Sequence, residues 1–322
     1  MKISDAFQFL RDDLPKTRET QLVTRSAGVA TAEGEVLLAM DLTGAPHVLI
    51  PHSNIVARHL SGALHMESST YVDAGQDRSW MDIWCSDPRL SGVFERFAAD
   101  VLDRLRDSDE AEGAVVRAFE EWKTLLHGSF PGLTRSQAVG LVGELELLAD
   151  ISHGAPVQAL ETWRGPEKNS RDFVSAASSI EVKTTEAREG GVIEIHGLGQ
   201  LDPAGDLLWL AVFRVEEHPS GESIKDRVAR LVSMGVPELG LLKKLHAAGY
   251  QESDPMGETT FRNSPPMVWE VTETFPGLRK AMLSAQARNA ISGVAYSLSL
   301  AALPEPLSAT GTTGILSTFG EA

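Results

Sequence analysis

The sequence predicts a mixed α/β protein of the α+β kind, with a β-rich N-terminal domain followed by a second domain of alternating helices and strands. Three observations predict this. The chain has 322 residues, about two domains' worth. Its 42% hydrophobic content is enough to fill real cores. Strand-like runs crowd residues 21–86, helical periodicity takes over after them, and strands return only beyond residue 171.

In order along the chain, GEVLLAMDL, HVLIPH, ALHMESSTYV and SWMDIWCS read as strands, because apolar and β-branched residues are punctuated by the turn formers TGAP and DAGQD. VFERFAADVLDRLRD then switches to a helical period, with Val93, Phe97, Val101 and Leu105 on one face, and AEGAVVRAFEEWKTLL continues as a second helix. Gly and Pro gather in HGSFPG, residues 127–132, which places the end of a first domain at 1–130. The second domain, 131–303, opens with LTRSQAVGLVGELELLADI, where Thr134 and Gln137 have the spacing of a capping box. GVIEIHG is a strand candidate. DLLWLAVFRVE, apolar without alternation, suits a strand buried on both faces. SIKDRVARLVSMG and ELGLLKKLHAAG read as helices, PMVWEVTE and GVAYSLSL as strands, and LRKAMLSAQARNA as a helical stretch between those strands. Residues 304–322, rich in Gly, Ser and Thr, read as a flexible tail.

Charge and cysteine content narrow the chemistry. The formal charge is −16, divided equally: residues 1–130 carry 13 basic and 21 acidic side chains, residues 131–322 carry 16 and 24. Such a chain does not coat nucleic acid by bulk electrostatics, so any phosphate contact must be local or assisted by a metal or a partner. One cysteine, Cys85, rules out an internal disulfide and any CxxC metal site, and reads as a small buried residue. No apolar run reaches the roughly 18 residues of a membrane helix, and Asp5, Asp12 and Asp13 interrupt what a signal peptide would need, so the expected location is the cytoplasm. GxxxxGK[ST], GxSxG and HExxH do not occur, and GLG at 197–199 lacks the third glycine of a dinucleotide fingerprint.

The stretch RDFVSAASSIEVKTT, 171–185, carries the chemistry. Alternate residues of a strand share a face, so Glu181 and Lys183 point together while Val182 points into the opposite layer. If VSAASS holds a hairpin turn, Asp172 returns beside Glu181. Two carboxylates and an amine at one sheet edge suit Mg²⁺ (or Mn²⁺), a hard cation with oxygen ligands, and through it the hydrolysis of a phosphodiester, with Lys183 orienting water or neutralising charge. On the preceding helix, Glu144 falls at the border of the apolar face and Glu146 on the polar side, so Glu144 is the one placed to reach the sheet. Arg164, Lys168 and Arg171 form a basic cluster beside the motif, readable as a DNA-backbone contact or as a solvated loop. Trp163 reads as a loop anchor, with a cover over the site as its alternative, and His196 reads as structural. An E-x-K triplet by itself arises roughly once by chance in a chain of this size, and a cross-strand ion pair is its plain alternative.

The helix GLVGELELL, the run Trp163-Arg164-Gly165-Pro166, RDF, IEVKTT, IHGLGQL, FPGL at 275–278 and VAYSLSL together resemble the PD-(D/E)XK nuclease superfamily, and within it a bacterial family of PD-(D/E)XK-motif proteins found beside restriction and phage-defence genes. The resemblance covers nearly the whole second domain and, more loosely, the N-terminal part. It implies an αβββαβ core with a central mixed sheet. It further implies that Asp172 and Glu181 are metal ligands, Lys183 the catalytic lysine, Glu144 an auxiliary acid and ligand, and Gln200 a residue near the scissile phosphate. Arg171 stands where the motif has its proline. The function so implied is a Mg²⁺-dependent DNA endonuclease of restriction or phage defence, working as a homodimer or with partner proteins of the same gene cluster. The alternative is a catalytically inactive nuclease-fold subunit that binds DNA or scaffolds such partners.

Overall fold

A computed structural model describes residues 3–14, 22–54, 59–73, 76–108, 110–123, 125, 132–167, 169–186, 191–203, 205–252, 254–291 and 293–319. The chain divides into two compact units, 1–130 and 131–322.

The first unit runs α1 (Ile3–Asp12), β1 (Leu22–Thr31), β2 (Gly34–Asp41), β3 (Pro46–Pro51), β4 (His59–Ser61), β5 (Leu64–Asp73), β6 (Gln76–Cys85), α2 (Ser91–Arg106) and α3 (Ala111–Trp122). Its six strands form one antiparallel sheet in the order β1-β2-β3-β6-β5-β4. Every residue of β3, an interior strand between β2 and β6, is buried. The face of α2 predicted from its period is buried, with Phe94, Ala98 and Leu102 beside it. The opening residues, read above only against a signal peptide, form amphipathic α1, which buries Phe7 edge-on against Phe94. Cys85 is buried, and burial pushes its thiol up to about 11.

The second unit runs α4 (Arg135–Ile151), α5 (Pro156–Thr162), β7 (Phe173–Val174), β8 (Ser178–Glu186), β9 (Val192–His196), β10 (Leu207–Glu222), α6 (Ile224–Ser233), α7 (Glu238–Ala247), β11 (Phe261–Asn263), β12 (Met267–Glu270), α8 (Ala285–Ala290), β13 (Ala295–Ser299) and α9 (Ala309–Phe319). Its main sheet is mixed. β8 and β10 run parallel, with Leu210 opposite Glu181 and Val212 opposite Lys183, and β7, β11 and β12 add antiparallel. The apolar run Leu208–Phe213 of β10 is continuously buried. Thr134 and Gln137 close the capping box of α4 reciprocally.

One expected strand pairs away from the main sheet, and two expectations need correction. The GVIEIHG strand, β9, pairs with β13 in a separate two-stranded sheet. Its burial alternates, Ile193 and Ile195 turning inward and their neighbours outward, so it covers a core also filled by Leu201, Leu210, Val212, Trp269 and Phe275. The LRKAML stretch is helical only in short turns, with α8 reduced to six residues. Residues 304–319, expected as part of a flexible tail, are held in place. Trp269 donates its indole N–H to the Pro304 carbonyl at 2.7 Å, Leu307 donates its backbone N–H to Val268 at 2.8 Å, and α9 buries Thr312, Leu316 and Phe319. Those three residues share one helical face, a period hidden beneath the Gly, Ser and Thr content.

Candidate functional site

The site forms where β8 outruns its short partner β7. β7 pairs with β8 only at Phe173↔Ile180 and Val174↔Ser179, which leaves the next edge amide of β8 without a strand to receive it. The Asp172 carboxylate takes that place, its Oδ2 accepting the Val182 N–H at 2.7 Å. Thus the hairpin read from VSAASS brings Asp172 back to the strand carrying Glu181 and Lys183. The Asp172 carbonyl in turn accepts the backbone N–H groups of Arg164 (2.6 Å) and Gly165 (3.0 Å), which binds the WRGP segment to the same spot.

Glu181 lies 1% exposed. Lys183 Nζ comes within 2.9 Å of its Oε1 as an ion pair, yet neither carboxylate oxygen receives a properly aligned hydrogen bond from the described residues. Lys183 Nζ donates instead to Gln200 Oε1 at 3.0 Å, an oxygen that also accepts the His196 N–H at 2.8 Å. Gln200, four residues past the end of β9, is therefore fixed against the lysine.

Glu144 approaches from α4. Its Oε2 accepts the indole N–H of the fully buried Trp163 at 2.6 Å, and the Trp163 ring stacks near Phe173. The helix lies close enough to the sheet that a methyl group at Gly143 would fall 2.0 Å from Thr184 Oγ1. At Gly165 a methyl would lie 2.6 Å from Glu144 Oε2 and 3.1 Å from Asp172 Oδ1, so these two carboxylates share one small space that only glycine leaves open. Gly165 and the indole donor are site features that sequence reasoning missed. The signal for them was the Trp163-Arg164-Gly165-Pro166 run, which carried part of the resemblance but whose tryptophan and glycine were given no part in orienting the acids.

The electrostatics follow from this crowding. Burial first, then the nearby Asp172 charge, push both Glu144 and Glu181 up to about 8. Burial also raises Asp172, against the pull of the Val182 N–H and Lys183. Three carboxyls held in low dielectric repel one another unless a proton or cation intervenes. A buried carboxylate with no aligned donor, beside two more acids, has the oxygen chemistry a hard divalent cation takes. Among the described residues no three His, Cys, Asp or Glu side chains form a ready-made metal cage, so any such ion would draw part of its shell from water or substrate.

The remaining expected residues lie elsewhere or turn away. Arg171, expected toward DNA, is half-buried, and its guanidinium donates to the carbonyls of Gly199 and, at 2.5 Å, Asp202. Arg164 pairs with Glu167 at the surface, at 3.0 Å. Lys168 lies outside the described residues. His196 is exposed, its contribution to the site being its backbone N–H. Glu146, placed by its helical angle on a polar side, is buried and bonds Arg227 at 2.6 Å and Arg230 at 2.9 Å. α4 is covered on nearly every side, so a reading with one apolar face misassigns its far residues.

No helix among the described residues is long and apolar enough to cross a membrane. No curated protein matches this chain, and no solved structure does. A family model described as "Putative PD-(D/E)XK family member, (DUF4420)" matches residues 12–301, nearly the whole length, and the chain belongs to that family.

Proposed function

We propose that this protein is a Mg²⁺- or Mn²⁺-dependent DNA endonuclease acting in restriction or phage defence, with Asp172, Glu181 and Glu144 holding the cation. The observation that carries this reading is Glu181: a buried carboxylate without an aligned donor, facing Asp172 and paired with Lys183. When bound, the divalent ion supplies charge neutralisation and Lewis acidity at the phosphodiester. Asp172 is oriented by the Val182 amide and Glu144 by the Trp163 indole, so the acids are preorganised by the fold. Lys183, tethered between Glu181 and Gln200, offers an ammonium that orients the attacking water and offsets charge growing on phosphate oxygens. Water forms the new P–O bond, the ester P–O bond breaks, and the leaving oxygen takes up a proton. A double-strand cut needs two such sites, which supports a homodimer or a partnered complex.

Two measurements test this. Calorimetric titration of the intact chain with Mn²⁺ should give a binding heat that Glu181→Ala abolishes. Cleavage of supercoiled plasmid should require the metal, stop with chelator, and fall by at least about a hundredfold in Lys183→Ala. An unaltered chain that binds no metal, with or without DNA, supports the inactive-subunit alternative. Equal cleavage by Lys183→Ala would assign the activity to a contaminant.

A further inference from the structure

Two arginines meet on the loop that carries Gln200, and neither is turned to solvent. Arg171 donates to the carbonyls of Gly199 and Asp202, the residues one before and two after Gln200. Arg279 is 4% exposed and donates from Nε to the Leu201 carbonyl at 2.9 Å, between those two points. Its other nitrogens bond the carbonyls of Glu273 (3.0 Å), Thr272 (3.0 Å) and Phe275. Leu201 itself is fully buried in the core beneath β9. Loop carbonyls would ordinarily face water, and a charged guanidinium costs much to bury unless its donors are used. Here three of the four carbonyls from residue 199 to 202, those of residues 199, 201 and 202, receive charged donors from two different segments. The side chain between them is thereby held with its Oε1 on Lys183 Nζ and the His196 amide.

We infer that Arg171 and Arg279 form a clamp that positions Gln200, and through it the Lys183 ammonium, so that Arg171 at the motif's proline position serves the site from within. The inference rests on the nuclease reading for its catalytic consequence, but the clamp itself is a property of the fold. Arg171 and Arg279 are positioning residues: they touch the loop backbone, not the reacting atoms. A guanidinium spans two carbonyls at once, which a lysine ammonium on a flexible stem does not reproduce.

The test combines kinetics with amide exchange on the full chain. For plasmid cleavage, Arg171→Ala should lower kcat roughly ten- to a hundredfold, the scale of a misplaced catalytic group, with KM for DNA and Mn²⁺ affinity within about twofold of the parent. Gln200→Ala should lose a similar factor, and the Arg171→Ala/Gln200→Ala double variant no more than Gln200→Ala alone, because both act through one side chain. Arg279→Lys, chosen because alanine there would leave buried carbonyls bare, should show a smaller loss of the same kind. Hydrogen exchange of the His196 amide should speed up at least about tenfold in Arg171→Ala while amides of β10 keep their protection. Losses that multiply in the double variant, a rise in KM with kcat intact, or unchanged His196 exchange would each overturn the clamp. If the parent cuts no DNA, the nuclease reading fails and the exchange result alone decides the clamp.

Discussion

At the scale of single residues, proton linkage gives the sharpest expectation. Glu144 and Glu181 titrate near 8 in the folded chain against an ordinary 4.5, so between those values the folded state keeps protons that the unfolded state has released. Their contribution to stability is full below about pH 4.5 and is lost as pH climbs through 8. Asp150, raised to about 6 by burial and by Glu146, adds the same sign in a lower window. The metal-free chain should therefore melt at a lower temperature at pH 8.5 than at pH 5.5. Glu181→Gln should flatten that slope and melt above the parent at pH 8.5. A thermal-denaturation series in which parent and variant fall in parallel would show that Glu181 is not the group responsible. Much of this was legible beforehand, because a two-residue spacing on a strand places Glu181 and Lys183 on one face whatever the fold. The role of Arg171 was not legible, since its partners are backbone carbonyls some 30 residues away and a carbonyl carries no residue identity.

At the scale of elements, α4 sets the geometry. It rests on β8 through Gly143 and on α6 through Glu146, whose carboxylate meets Arg227 at 1% exposure and Arg230 beside it. Arg227 also spans the carbonyl of Phe261 at 3.0 Å and Asn263 Oδ1 at 3.1 Å, so this ion pair joins α4, α6 and β11. Removing one partner of such a pair leaves a buried charge bare. Glu146→Ala should cost about 3–5 kcal/mol in urea unfolding, whereas exposed Arg164→Ala should cost less than about 1 kcal/mol. Similar midpoints for the two variants would refute the buried pair. Periodicity foretold α4, α6, α7, β8 and β10 because each has a long, uniform environment. It gave too long a helix at LRKAML and overlooked α9, whose apolar contacts are few and spread among small residues. The partner of β9 was beyond reach of the sequence: alternation reports which face of a strand is buried, not which strand lies beside it.

At the scale of the whole molecule, the charge of −16 governs how DNA could be held. With acids in excess in both halves of the sequence, binding must depend on few phosphate contacts and on the divalent ion. In Lys183→Ala, used so that duplex stays uncut, fluorescence anisotropy should show at least about tenfold tighter binding with Mg²⁺ than with chelator. Its log–log salt slope should be shallow, about −1 to −3. Tight binding in chelator, or a steep slope, would instead reveal a basic surface that the composition conceals.

The bond from Trp163 to Glu144 has one more consequence. An indole nitrogen only donates, and this one is sealed from solvent with a carboxyl oxygen as its acceptor. The excited-state dipole of that ring therefore feels directly whether the acid beside it is neutral, ionised or occupied by a cation. Trp163, one of six tryptophans, is thus the one whose emission should shift on titration of Glu144 or on addition of Mn²⁺, a response that Trp163→Phe should remove from the spectrum of the chain.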